Sequence, residues 1–171
     1  MKRPPSFENL VLAAIVALAA FFRFYRLDQL PPGFQFDQAF YVFDVIRLLQ
    51  GEFHIFFVAP GGTEPLYPYL AMVGVALFGD TAFGLRLTGA VIGTLTILLV
   101  YFFARSFFQS IRMGLLSAFF AAVSLWHIFF NRFGERVTLL VFLAILVFWF
   151  FWRALDQCQP KCFVLAGLFT A

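Results

Sequence analysis

The sequence predicts an all-α, polytopic membrane protein with about four to five transmembrane helices, amphipathic helices in an outer loop, and a last helix that is cut short. Three observations predict it. Of 171 residues, 63% are hydrophobic and only 12% are charged, whereas a soluble domain carries about 25% charged residues. Mean hydropathy is +0.91, and the apolar residues fall in long uncharged runs bounded by arginines. The 28 Phe residues and 21% aromatics are the opposite of a solvating, disordered composition. The net charge of +3 reflects few acids rather than a basic stripe, which speaks against nucleic-acid binding.

Taken in order, the uncharged runs are Asn9–Phe22 (14 residues), Pro65–Gly79 (15), Leu87–Ala104 (18), Met113–Asn131 (19) and Val137–Trp152 (16). A bilayer core asks for about 20 mostly apolar helical residues, with flanking Arg or Lys able to reach the interface. The runs at 87–104 and 113–131 meet this directly, and the first and last do so once their flanks are added. The first run, behind Lys2–Arg3 and with Ala17-Leu18-Ala19, imitates a secretory signal. Glu8 ahead of it and Phe21-Phe22-Arg23 after it favour a retained anchor. The Pro65–Gly79 run is short and carries two prolines and two glycines, so it is expected to lie in the interface. Phe163–Ala171 starts another helix, and a half-helix satisfies its backbone poorly in lipid, so the sequence reads as the front part of a longer polytopic protein.

The distribution of Lys and Arg then sets a topology. With Lys2 and Arg3 cytoplasmic and Pro65–Gly79 not crossing, Arg105–Arg112 becomes a cytoplasmic hairpin. Six of the nine acids (Asp28, Asp37, Asp44, Glu52, Glu64 and Asp80) then share the outer face with Arg86, Arg132, Glu135 and Arg136. Cys158 and Cys162 fall on the cytoplasmic side as free thiols, too few for a disulfide framework or a metal site.

Residues 27–64 make an outer loop too long to be a connector. Pro31-Pro32-Gly33 is a stiff turn, after which Phe36–Gln50 reads as an amphipathic helix ended by Gly51. Asp37, Tyr41, Asp44 and Leu48 share one of its faces; Phe36, Phe40, Phe43 and Ile46 share the next and suit the lipid boundary. Asp37 sits in the first turn, and spacing alone favours a capping role for it. Glu64 before Pro65 is likewise a helix-start residue, and Gly61-Gly62 reads as a turn rather than a phosphate loop. Arg132 and Arg136 lie at i and i+4 and point the same way. They and Arg86 read either as interfacial anchors, with Glu135 pairing to Arg132, or as a cluster suited to a lipid phosphate. His127 beside Trp126 reads as an interfacial histidine.

Five segments in this order carry a resemblance. They are Arg26-Leu27-Asp28-Gln29-Leu30-Pro31-Pro32-Gly33 followed by Phe36-Asp37-Gln38-Ala39-Phe40-Tyr41; Thr63-Glu64-Pro65-Leu66-Tyr67-Pro68-Tyr69-Leu70; Leu85-Arg86-Leu87-Thr88-Gly89-Ala90; and Trp126 through Arg136. Together they resemble membrane glycosyltransferases of the C-type fold, in the branch of the protein O-mannosyltransferases and the lipid A aminoarabinose transferase. The resemblance implies that residues 1–171 are the N-terminal part of a glycosyltransferase transmembrane domain, with an extracytoplasmic loop over about 27–64, extending as far as 86. It implies transfer of a sugar from a polyprenyl phosphate to a protein or to a lipid or glycan acceptor, at the extracytoplasmic face of the cell membrane. Asp37 takes the place of the catalytic acidic residue and is the candidate base, with Glu64 assisting it, orienting the acceptor or holding a divalent ion. Tyr41, Arg86, Arg132 and Arg136 are the expected substrate contacts. The family often has a second acid beside the first; Gln38 stands there instead, which leaves metal dependence open. Later helices that complete the family's sites are absent from these residues. The competing readings are a non-catalytic membrane protein, such as a lipid-linked sugar transporter or an assembly subunit, and an inactive fragment. Charges at helix ends rather than mid-membrane, and the lack of a repeat, favour the enzyme.

Overall fold

The computed structural model describes residues 7–34, 36–57, 64–157 and 160–170, without the side chains of Phe36, Asp37, Gln157 and Pro160. Lys2, Arg3, Gly61, Gly62 and Cys158 therefore lie outside the described residues. Eight helices follow one another there: α1 Phe7–Phe24, α2 Phe36–Leu49, α3 Leu66–Phe78, α4 Ala82–Phe107, α5 Ile111–Val123, α6 Leu125–Phe133, α7 Arg136–Gln157 and α8 Pro160–Leu168.

Three of them, α1, α4 and α7, are long and apolar enough to cross a membrane, and α5 with α6 makes a fourth if that bent pair is one span. The lower expected number is thus reached only by counting the pair. The uncharged run 113–131 does not form one straight helix. It breaks at Ser124, whose extended backbone (ψ 114°) bends α6 away from α5 by 57°. α3 has 13 residues, about 20 Å of helix against a hydrocarbon core of about 30 Å. It falls short of a span, in keeping with an interfacial position.

α4 is the central post and packs against α1, α3, α5, α6 and α7. Its small residues permit this. A methyl group on Gly84 would lie 2.7 Å from the Gly79 carbonyl oxygen, and one on Gly74 of α3 would lie 2.3 Å from the Gly84 carbonyl oxygen. Gly89 and Gly93 do the same for α6: a methyl there would meet the Asn131 carbonyl oxygen at 2.5 Å and the Asn131 side chain at 2.3 Å. In a bilayer, where apolar burial does not drive helix pairing, such close backbone approach supplies the packing. Thr81 starts α4 by accepting from the Gly84 amide at 3.1 Å.

Two apolar clusters result. Ile15 and Ala19 of α1 meet Ile97 and Tyr101 of α4 and Ala118 and Ala122 of α5. Tyr41 and Val45 of α2 meet Tyr67, Ala71 and Val75 of α3 and Leu85 of α4. The second cluster ties the loop helix into the bundle. α2 matches the expected helix and ends at Gly51 (φ 90°), whose amide donates to the Leu48 carbonyl. Its Tyr41–Asp44–Leu48 face is turned inward, while Phe43 on the aromatic face is exposed.

Candidate active site

Two of the residues singled out in the sequence, Glu64 and Arg136, meet beside the segment joining α6 to α7. α6 ends at Gly134 in the left-handed conformation (φ 68°), with the Gly134 amide donating to the Asn131 carbonyl and the Glu135 amide to that of Phe130. Glycine is needed for this backbone, since any other residue there is strained. A methyl group on it would also come within 3.0 Å of the Tyr67 hydroxyl oxygen. The turn puts Glu135 inside the protein and Arg136 at the start of α7, facing the segment ahead of α3.

Arg136 Nη1 there donates to Glu64 Oε2 at 2.9 Å. This is an exposed pair, and its intrinsic contribution to stability is small. A hydrogen bond from its own backbone amide, and then the Arg136 guanidinium, hold the Glu64 carboxyl below its usual 4.5 against the opposing effect of burial. The pair stands at the rim of a pocket of about 440 Å³ walled by Leu66, Tyr67, Val137, Leu139, Leu140 and Leu143. One charged rim on an otherwise apolar groove between α3 and α7 suits an amphiphile better than a water-soluble sugar alone.

Tyr41, an expected substrate contact, is buried against Tyr67 with ring centroids 5.5 Å apart. It reaches the pocket through Tyr67, which lines it. The Tyr67 hydroxyl is buried and has no described hydrogen-bond partner. Burial first, then the nearby charges of Glu135 and Tyr41, push it well above the usual tyrosine range, so it stays protonated. Asp37 occupies the first turn of α2 as expected; its side chain lies outside the described residues.

Arg86 and Arg132 are held elsewhere. Arg86 is buried and donates to the carbonyls of Leu27 (3.2 Å) and Gly33 (2.6 Å), with the Phe34 ring over its guanidinium. Arg132 donates to the carbonyls of Phe22 (2.7 Å), Tyr25 (2.8 Å) and Leu30 (2.9 Å), and more weakly to those of Arg23 and Arg26. Both guanidinium groups are thus engaged with the backbone at and beyond the end of α1. Of the three arginines expected at a phosphate, only Arg136 is on the pocket.

Three features were missed in the sequence. Gln38 is buried, and its Nε2 donates to the Phe133 carbonyl at the end of α6. An ionised carboxylate would have no proton to offer that carbonyl, so the amide suits this place. Tyr67 had a signal, standing three residues after Glu64 on one helix start. Buried Arg23 and Asn131 form a polar cluster with half-buried His127. Arg23 Nη2 lies 2.7 Å from His127 Nδ1, which also lies 3.2 Å from Asn131 Nδ2. Since arginine only donates, His127 Nδ1 accepts and its proton sits on Nε2. His127, expected as an interfacial residue, is thus half-buried against Arg23 and Asn131.

A metal ion calls for clustered ligands, and among the described residues no three His, Cys, Asp or Glu side chains gather. Glu64 is paired with a cation there, which fits a metal ligand poorly.

Residues 60–171, well over half the chain, match the family model described as dolichyl-phosphate-mannose-protein mannosyltransferase. The chain belongs to that family. The match takes in Glu64, Tyr67, Arg86, Arg132 and Arg136, whereas α1, α2 and Asp37 lie ahead of it. Membership, with the apolar helices, makes the protein an integral membrane protein of a glycosyltransferase family. Comparison with curated proteins gives no match, and comparison with solved structures gives none.

Proposed function

We propose that the protein transfers a sugar, mannose or a close relative, from a polyprenyl phosphate to a protein or to a lipid or glycan acceptor at the extracytoplasmic face of the cell membrane. The observation that carries this reading is the Arg136–Glu64 pair at the rim of the apolar groove between α3 and α7. A polyprenyl phosphate is an apolar chain ending in an anion, and that rim and those leucine walls match its two halves.

Transfer breaks the bond between the sugar's anomeric carbon and the phosphate oxygen and forms one to the acceptor hydroxyl or amine. The phosphate leaves with the bonding electrons, and the acceptor's proton must be taken up. Arg136 is the cation placed to stabilise the charge growing on the phosphate, by a paired hydrogen-bonding geometry that Lys does not offer. Asp37 is the proposed general base for the acceptor's proton. Glu64 steers Arg136 and is ionised at neutral pH, so it does not act as an acid there. Tyr41 and Tyr67 form the aromatic floor behind the pair.

The test is transfer from a radiolabelled polyprenyl-phosphate mannose by the protein in its native membrane. Arg136→Ala is expected to lower the rate by about 10²-fold or more, as removal of one preorganised charge-stabilising donor does. An Arg136→Ala rate equal to wild type would remove Arg136 from the phosphate site.

A further inference from the structure

We infer that Arg132, helped by Arg86 and Gln38, is a positioning residue: it holds the segment carrying Asp37 in register with the Arg136–Glu64 pair. The inference rests on the proposed role of Asp37 and goes beyond it. Its basis is the geometry at the end of α6. Arg132 gathers five backbone carbonyls between Phe22 and Leu30, three of them within 2.9 Å. Arg86, from α4, takes two more, those of Leu27 and Gly33. The next residue along α6, Phe133, offers its carbonyl to Gln38, directly after Asp37 in the chain. Gly134 then turns the chain, and Arg136 follows. One short stretch, Arg132–Arg136, therefore touches the turn before α2, the first turn of α2, and Glu64.

The turn it grips needs gripping. The carbonyls at the end of a helix have no partners within it, and the helix dipole favours a cation at that end. Arg26 has φ 48° and Gly33 has φ 76°; the first is a conformation that a side chain with a Cβ adopts at a cost. Charge-assisted donors bridging several carbonyls hold such a turn in one shape. A guanidinium does so with two separate nitrogens, and an ammonium cannot span the same set. Residues 22–33 run into α2 three residues later, so the turn's shape decides where Asp37 stands.

Two readouts on the donor-free and the working protein test this. In Arg132→Lys, hydrogen exchange of the amides between residues 25 and 34 is expected to quicken about tenfold or more with no donor present, since local opening sets that rate. Turnover (kcat) is expected to fall about 10- to 100-fold with KM for the polyprenyl-phosphate sugar within about threefold, as loss of alignment predicts. Gln38→Met, which nearly keeps size and removes the donor, is expected to do the same for exchange near residues 36–40 and for kcat; it serves if Arg132→Lys does not accumulate in the membrane. Exchange unchanged in both variants would overturn the inference, as would a tenfold rise in KM with kcat retained, which would make Arg132 a direct phosphate ligand. Should Asp37→Asn retain full transfer while exchange still quickens in Arg132→Lys, the role of Asp37 fails and the clamp stands as a purely structural device.

Discussion

Arg86, Arg132 and Arg136 look alike in the sequence, and the fold gives them different work. Type and spacing said that three cations lie near one membrane face; which partners each would meet depended on where α1 ended and how α6 turned. Among the described residues, Arg136 meets the Glu64 carboxylate on the pocket, while the other two meet carbonyls that no pattern of side chains reveals. Glu64 leads to a pH prediction. Its carboxyl is depressed below 4.5, so its pairing is complete at neutral pH and is lost only as pH falls through that lowered value. Glu64→Gln should therefore lower transfer without moving the profile's midpoints between about pH 5 and 8, where titration of other groups controls it; an acidic limb that shifts with Glu64→Gln would assign the limb to Glu64. Asp44 is the reverse case. Burial raises its carboxyl pKa, Arg47 and His54 oppose this, and one oxygen is buried without a partner. It stays bound to its proton to higher pH than an exposed Asp, so its cost to stability grows as pH rises through that value.

At the level of helices, α2 was legible to within a residue, because a prolyl turn, an amphipathic period and a terminal glycine all agreed. The shortness of α3, 13 residues, was legible from the short uncharged run that holds it. The break between α5 and α6 was not: Ser124 is one polar residue in a run of 19 uncharged ones. What accompanies the bend is the close approach of α6 to Gly89 and Gly93 and the half-buried contact of His127 with Arg23, both tertiary. Gly89→Ala is therefore expected to lower stability by about 1–3 kcal/mol, since the methyl meets a backbone atom that cannot swing aside; a melting temperature in detergent equal to wild type would contradict the packing. The arrangement of helices across the membrane has its own test. In a background lacking Cys158 and Cys162, single cysteines at Ser110 and at Gln50 should be labelled from opposite sides of the membrane. A tag after Asp80 should report the same side as Gln50; a cytoplasmic report there would make α3 a crossing helix and part Arg86 from Asp37.

For the whole molecule, the central idea is that a bundle built around a glycine-rich α4 carries a loop helix and a helix junction at one end, and that sugar transfer happens between them. Composition gave the membrane class, and order and spacing of short motifs pointed to the family, because those motifs mark helix ends that the fold brings together. The measurement closest to this idea is transfer from a polyprenyl-phosphate sugar by Asp37→Asn in the native membrane, alongside its expression and insertion. Asn keeps the shape and most of the capping ability of Asp, so a residue that only caps α2 would lose a fraction of ~1 kcal/mol in stability and little activity. A general base contributes about 10²–10⁴-fold in rate. The account predicts a loss of transfer of that size with insertion unchanged; transfer near the wild-type rate would contradict it.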